Sequence, residues 1–432
     1  MPDLTVELYG QVVGTIHESR DGFDFAVEDD AIRRWGLGST VLSFAVPLTS
    51  RPRPGDVLVR RNFFDEILPE GRARTRLAGN AHIASDYTVG MLGRYGRDVA
   101  GAIKIYDPTA PGEPRTPSTI AASPARVRQL LDEVATAPLG NDTVRRMSSL
   151  AGVQDKIVLA RVGDEWAEPV DGYASTHIIK PVMPKYPTLI FDEEYGARIA
   201  RHLGLAEFDT SIATFDGVTA LVIERFDRSP ETADGRIHQE DFNQILGMTG
   251  DGKYEEYGNL GLRAIARVVR PFGRQALETL LTMTTMSLAI GNLDMHAKNI
   301  SVVHLPDGTP VVAPAYDIVP QTHQPFEQKL ALYINGKSDH GDVTINDLVV
   351  EAKAWGIRSP EPLIVRTITS IAEYVATESQ LPGAYFALDG DITRMCGKLL
   401  AGGGANPGSG STAAGARQIN NAPGGWGGPV RP

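Results

Sequence analysis

The residues whose types and spacing best suit chemistry lie in GNLDMHAKN, Gly291 to Asn299, directly after an apolar segment and directly before the strand-like ISVVHL. Phosphoryl transfer asks for a carboxylate to accept the proton of the attacking hydroxyl and, a few residues on, an oxygen ligand for Mg²⁺. Asp294 and Asn299 have that D-x-x-x-x-N spacing. A second carboxylate, Asp317, ends the apolar run VVAPAYDIV and is placed to add another metal contact; a turn or helix-capping aspartate is the competing reading. Upstream, Lys180 closes the alternating segment STHIIKP, where a lysine can grip the α- and β-phosphates of ATP as a point charge, with Glu193 of the next helix as a candidate partner. A surface lysine on an edge strand is the alternative. In MSSLAGVQDKIVLAR, a small-residue turn of Ala151 and Gly152 is followed by Val153, Gln154, Asp155 and Lys156. Free backbone N–H groups beside a lysine can bind phosphate. The loop has one glycine and satisfies neither G-x-x-x-x-G-K-[ST] nor G-x-G-x-x-G, so an ordinary surface turn remains open. The strand LVIERFDR would supply a hinge whose backbone at Glu224, Arg225 and Phe226 meets an adenine.

These groups need a scaffold, and the periodicities predict an α+β chain of two lobes preceded by a small domain. Residues 1–106 alternate apolar positions between glycines and read as a β-rich N-terminal domain, with Pro69-Glu70-Gly71 as a turn opening a helix. The proline-rich stretch 107–123 reads as a linker. Residues 124–237 mix strands (KIVLAR, STHIIK, VTALVIERF) with the helical FDEEYGARIARHLG, giving an α/β lobe. Residues 238–400, from QEDFNQILG onward, show apolar spacings of three and four and predict a mostly α-helical lobe. The tail 401–432 is rich in Gly, Ala, Pro, Ser and Asn and predicts disorder.

Composition narrows the function. With 53 acidic against 42 basic residues, a formal net charge of −11, the chain lacks the basic footprint of a stand-alone DNA binder. Its one cysteine, Cys396, reads as a half-buried small hydrophobe and fits a reducing cytoplasm. The N-terminus lacks a secretory pattern, and the apolar run from Thr279 to Leu293 is too short and diluted to span a membrane; a cytoplasmic location is expected.

Taken in order, SLAGVQDK, THIIKP, ERFDR, HQEDFNQILG, GNLDMHAKN, APAYD and INGK resemble the HipA family of toxin kinases, and LPEGRAR with GRYGRDVAGA resembles its N-terminal domain, over about residues 1 to 380. The resemblance implies a HipA-like bilobal kinase fold and a serine/threonine protein kinase using ATP and Mg²⁺. It makes Asp294 the catalytic base, Asn299 and Asp317 the metal ligands, Lys180 the ATP lysine and Ala151 to Lys156 an atypical phosphate loop. His296, Lys298 and Tyr316 would approach the nucleotide. Ser149 matches the serine that family members autophosphorylate, ejecting the loop and silencing the kinase; Ser148 fits the pattern less well. The implied partners are an aminoacyl-tRNA synthetase as substrate and a small helix-turn-helix antitoxin, HipB, through which alone DNA would be reached. Two rival functions are an inactive scaffold within a repressor complex and a kinase of small molecules.

Overall fold

The computed structural model describes residues 3–19, 22–152, 154–232, 234–258 and 260–406. Two compact units emerge: residues 1–181, 213–250 and 302–311 form the first, and residues 182–212, 251–301 and 312–432 the second.

In the first unit, a four-stranded sheet runs Gly22–Val27, Gln11–Ser19, Leu4–Leu8, Ile103–Tyr106. Alternating apolar residues Leu4, Val6 and Leu8 put one face of the Leu4–Leu8 strand into a core with Phe25, Phe63 and Phe64. The expectation of a β-rich domain needs correcting, because most of residues 57–95 are helical: Val57–Asp65, Gly71–Asn80 and Thr88–Tyr95. The apolar positions of the Val57–Asp65 helix recur at helical spacing and cover the sheet, a period that short alternating runs nearby obscure in the sequence.

The second sheet of this unit is ordered Ser118–Ala121, Glu165–Val170, Ile157–Val162, His177–Pro181, Val218–Glu224, with Thr210–Phe215 at its far edge. Helix Pro124–Asp132, opened by the Ser123 cap on the Arg126 N–H, buries Val127, Leu130 and Leu131 against it. The expected linker 107–123 is therefore not free chain. Ser118–Ala121 pairs with Glu165–Val170, Glu113 is paired with Arg97, and Arg115 with Asp171 at 3.0 Å. Nor does that stretch separate two cores, since Leu139, Leu150 and Val158 belong to the same apolar cluster as the N-terminal sheet.

A three-stranded sheet, His238–Asp241, Ser301–His304, Pro310–Val312, corrects the helical reading of QEDFNQILG. The helix there, Phe242–Ile245, has only one turn and opens with a capping box between Asp241 and Gln244. This sheet carries a buried polar cluster. His238 Nε2 donates to the Leu42 carbonyl at 2.7 Å, His304 Nε2 meets Glu240 at 2.8 Å, and the Tyr9 hydroxyl donates to the His304 carbonyl. Burial, reinforced by His304, pushes the His238 imidazole down to about 3. The unfolded chain takes up that proton near pH 6.5 and the folded chain does not, so stability present above about pH 6.5 falls as pH drops from there towards about 3. In urea titrations at pH 7, 6 and 5, His238→Gln is expected to flatten this dependence by one proton's worth, about 1.4 kcal/mol per pH unit. Parallel dependences in the two proteins would refute it.

The second unit is mainly helical: Leu189–His202, Leu262–Val269, Arg274–Ile290, Ile345–Trp355, Glu361–Thr377 and Leu388–Leu400. Arg274–Ile290 is buried over its last two turns, as a central helix requires, and packs against Glu361–Thr377 and Leu388–Leu400. Among the described residues no helix is long and apolar enough to cross a membrane. Cys396 is fully rather than half buried, since it faces Arg274–Ile290 at the Ala289 carbonyl, and its thiol is pushed up to about 12. The expectation of a structureless tail from Ala401 is corrected for its start. Ala405 is fully buried and its N–H donates to the Val343 carbonyl at 3.1 Å, while residues 407–432 lie outside the described residues.

Candidate active site

Each unit carries its own set of candidate residues. In the first unit, Lys180 sits on an inner strand, flanked by Ile157–Val162 and Val218–Glu224 with Leu221 as its register partner, and is 5% exposed. That position replaces the edge-strand alternative. A lysine this buried needs an anionic partner to repay its lost hydration.

The strand Ile157–Val162 is preceded by the loop from Ala151 to Lys156, of which Val153 lies outside the described residues. Gly152 has φ +100, a left-handed conformation that favours glycine, and a Cβ there would stand 2.7 Å from the Lys156 ammonium nitrogen, which its flexible side chain could move aside. The turn brings Lys156 Nζ to 3.1 Å from the Ala151 carbonyl. Gln154 Nε2 is buried without a hydrogen-bond partner among the described residues, a donor suited to a phosphate oxygen. Asp155 is paired with Arg72 at 2.6 Å.

At the expected hinge, Glu224 ends a strand and Arg225 N–H donates to the Thr176 carbonyl at 2.9 Å. The Arg225 guanidinium is buried against Asp227, so that side chain is structural and does not reach out to a base.

Ser149 and Ser148 are both buried. Ser149 Oγ donates to the Ile67 carbonyl at 3.0 Å, and Ser148 Oγ to Asp98 Oδ2 at 2.9 Å.

In the second unit, helix Arg274–Ile290 stops at Gly291 in the left-handed conformation, φ 71, and releases the loop that holds Asp294. The loop is braced from within. The Asp294 N–H donates to Asn292 Oδ1 at 3.3 Å, its carbonyl accepts the His296 N–H at 2.8 Å, and Asn299 Nδ2 donates to the same carbonyl at 2.9 Å. That last bond fixes the amide's orientation and turns Asn299 Oδ1, the candidate metal ligand, the other way. From outside the loop, the Tyr254 hydroxyl reaches Asp294 Oδ1 at 3.4 Å, and its ring stands edge-on to His296 with centroids 5.3 Å apart. Asp294, His296, Lys298 and Asn299 are all buried.

Tyr316 ties the two metal-ligand candidates together. Its hydroxyl lies 2.6 Å from both the Lys298 carbonyl and Ser301 Oγ, so the neighbours of Asn299 and Asp317 touch. Tyr316 is thus a brace for the site. Asp317 itself has φ +54, a conformation that non-glycine residues adopt at a cost and that recurs where a side chain must be aimed. Among the described residues no cluster of three His, Cys, Asp or Glu can hold a metal. One amide and one carboxylate oxygen fit Mg²⁺, which typically takes one or two carboxylates and completes its shell with substrate phosphates and water.

Sequence reasoning missed Tyr254, which follows no motif spacing, and Asp98, whose buried carboxylate gathers Arg225, Arg228 and Arg236. The GRYGRDVAGA segment holding Asp98 stands out in the sequence only for its family resemblance.

The chain is similar to known proteins over most of its length. Residues 148–379 match the HipA-like C-terminal domain and residues 4–106 the HipA N-terminal domain. The Sinorhizobium fredii protein Y4mE, a kinase by its name, is 31% identical over 86% of this chain and 90% of its own. The serine/threonine-protein kinase toxin HipA of Shewanella oneidensis is 27% identical over 86% of this chain and 88% of its own. In a solved complex of Shewanella oneidensis HipA with HipB and operator DNA, a chain superposes with a TM-score of 0.75 at 25% identity, covering 92% of this chain and 97% of that one. The α+β architecture expected from the sequence is thus the HipA fold, and the chain belongs to the HipA family of kinases.

Proposed function

We propose that this protein is a serine/threonine protein kinase that transfers the γ-phosphate of ATP to a protein serine, phosphorylates its own Ser149, and acts as a toxin restrained by a HipB-like helix-turn-helix antitoxin. The observation that carries this reading is the braced loop in which Asp294 is backed by Tyr254 and Asn299 is oriented through the Asp294 carbonyl.

In this reading Asp294 accepts the proton of the attacking hydroxyl, and Lys180 and the Ala151 to Lys156 loop hold the phosphates. Asn299 and Asp317 would hold Mg²⁺, which when bound offsets charge on the transferring group. His296 and Lys298 lie next to Asp294 in the same loop and would face the nucleotide. The substrate implied by the family resemblance is an aminoacyl-tRNA synthetase. The net charge of −11 favours DNA contact through the antitoxin. The assembly of Shewanella oneidensis HipA with HipB and operator DNA supports the same arrangement for this chain.

Intact mass before and after incubation with ATP and Mg²⁺ tests the reading, and one added phosphate mapped to Ser149 is expected. No phosphate on this chain or on any synthetase would favour the scaffold alternative. A phosphate on Ser149 adds roughly −1.5 to −2 charges beside a loop that must receive ATP phosphates, so modification should silence the enzyme. Ser149→Ala is accordingly expected to hold its initial rate of substrate phosphorylation over a time course in which the wild type slows. If both slow alike, Ser149 is not the brake.

A further inference from the structure

Ser149 is proposed as a phosphoacceptor, yet its hydroxyl is fully buried and bonded to the Ile67 carbonyl. Transfer forms a bond from Ser149 Oγ to the γ-phosphorus, breaks the bond from that phosphorus to its bridging oxygen to release ADP, and passes the hydroxyl proton to Asp294. None of this can occur while the hydroxyl is inside, so the segment must first open. Whatever holds it shut sets how often Ser149 is offered.

Beside the Ile67 carbonyl, two residues hold it, Asp98 and Asn141. The Asp98 carbonyl accepts the Ser149 N–H at 2.8 Å, and Asp98 Oδ2 accepts the Ser148 hydroxyl at 2.9 Å. Asn141 adds a reciprocal pair: its Oδ1 accepts the Ser148 N–H at 3.1 Å and its Nδ2 donates to the Ser148 carbonyl at 2.9 Å. Asp98 is itself immobilised. Its Oδ1 lies 3.0 Å from Arg228, 3.6 Å from Arg236 and 3.9 Å from Arg225, and accepts the Ser175 N–H at 3.3 Å. Burial opposes ionisation of this carboxyl, but Arg225, Arg236 and Arg228 outweigh it and hold the group below the usual carboxylate range. A fixed carboxylate is a strong acceptor for a hydroxyl.

We infer that Asp98 and Ser148 form a latch that keeps Ser149 inside the fold, with Ser148 serving as the keeper and not as an acceptor. Both are positioning residues, acting through Ser149. The inference rests on the autophosphorylation reading for its consequence, but the latch itself is visible without any chemistry. The same carboxylate lies against Arg225 of the expected hinge and against Arg228 and Arg236 beyond it, so the latch and the Glu224 to Phe226 segment share one anchor.

The test is hydrogen exchange at the Ser149 amide in full-length protein carrying Asp294→Asn, without nucleotide, followed by phosphate mapping with ATP and Mg²⁺ in the otherwise native sequence. Ser148→Ala removes one hydroxyl and leaves every ion pair, so it should fold; Asp98→Asn is the stronger change and carries more risk of unfolding. Ser175→Ala is the control: it deletes a hydroxyl that accepts from Arg225 in the same cluster but touches neither Ser148 nor Ser149. Ser148→Ala should speed Ser149 exchange roughly tenfold, a change of about 1.4 kcal/mol in opening, and Ser175→Ala should not. The rate of Ser149 phosphorylation should rise by a similar factor in Ser148→Ala. Unchanged exchange, or an equal rise in the control, overturns the latch, and so does phosphate arriving on Ser148 in the native sequence. Exchange that rises as stated with no phosphate on Ser149 in any protein retaining Asp294 leaves the latch standing and overturns the autophosphorylation reading instead.

Discussion

Asp294→Asn is expected to lower the rate of phosphate transfer by roughly 10²–10⁴-fold, the usual contribution of a positioned general base. The replacement has the same shape and can still accept from the Tyr254 hydroxyl, which lies 3.4 Å from Oδ1. The loop's bonds to Asn292, His296 and Asn299 run through the backbone of residue 294 and are kept in the variant. The thermal midpoint should therefore hardly move while the rate collapses. That separation is what assigns Asp294 to the proton and not to the fold. Tyr254→Phe gives the scale: it deletes one long hydrogen bond to the same oxygen and should slow transfer only a few-fold. Single-turnover rates with thermal melts of the three proteins decide the matter. A variant Asp294→Asn that turns over at wild-type rate would remove Asp294 from the role of base.

How much of this was legible in the sequence follows from the range of the interactions concerned. The loop from Gly291 to Asn299 was legible as a unit because its bonding is local: Asp294 and Asn299 are five residues apart and joined by a direct bond. Its flanking helix and strand follow from periodicity alone, and Gly291 marks the helix end by the left-handed turn it supplies. Lys180 was legible as the end of an alternating strand, but whether that strand lay inside or at an edge depended on pairing with Ile157–Val162 and Val218–Glu224. The linker reading failed for a similar reason. Proline and polar residues between 107 and 117 do mark irregular chain, yet Ser118–Ala121 is held by strand pairing and Arg115 by an ion pair with Asp171 far along the sequence. Asp98 shows the limit most clearly. Nothing in its neighbourhood of the chain distinguishes it from a surface aspartate, and its partners Arg225, Arg228 and Arg236 stand more than a hundred residues away.

The same cluster supports the other large effect. Asp227→Ala is expected to destabilise the protein by about 3–5 kcal/mol, because it removes one partner of a buried pair and strands the other. Asp227 takes Arg225 side-on, Nε to Oδ1 at 2.9 Å and Nη2 to Oδ2 at 2.7 Å, and also lies 3.1 Å from Arg228 Nη1 and 2.7 Å from the Gly101 N–H. Burial disfavours its ionised form, yet Arg225 and Arg228 hold the carboxyl well below the usual range. The cations already lack counter-charge: burial, with Arg225 alongside, brings Arg228 down to about 9. With Asp227 gone, Arg225 and Arg228 would be left to Asp98, which they would share with Arg236. Because the folded pKa is depressed, the stabilisation is present above about pH 4 and is lost as pH falls below it, so the difference between wild type and variant should narrow in acid. Urea titrations at pH 7 and pH 3 measure both statements. Asp227→Asn, which keeps an acceptor for Gly101 but not the charge, should fall between the two proteins at pH 7. If Asp227→Ala unfolds at the wild-type urea concentration, the arginines are stabilised without it, and the strand that ends at Glu224 must be held by its sheet partners alone.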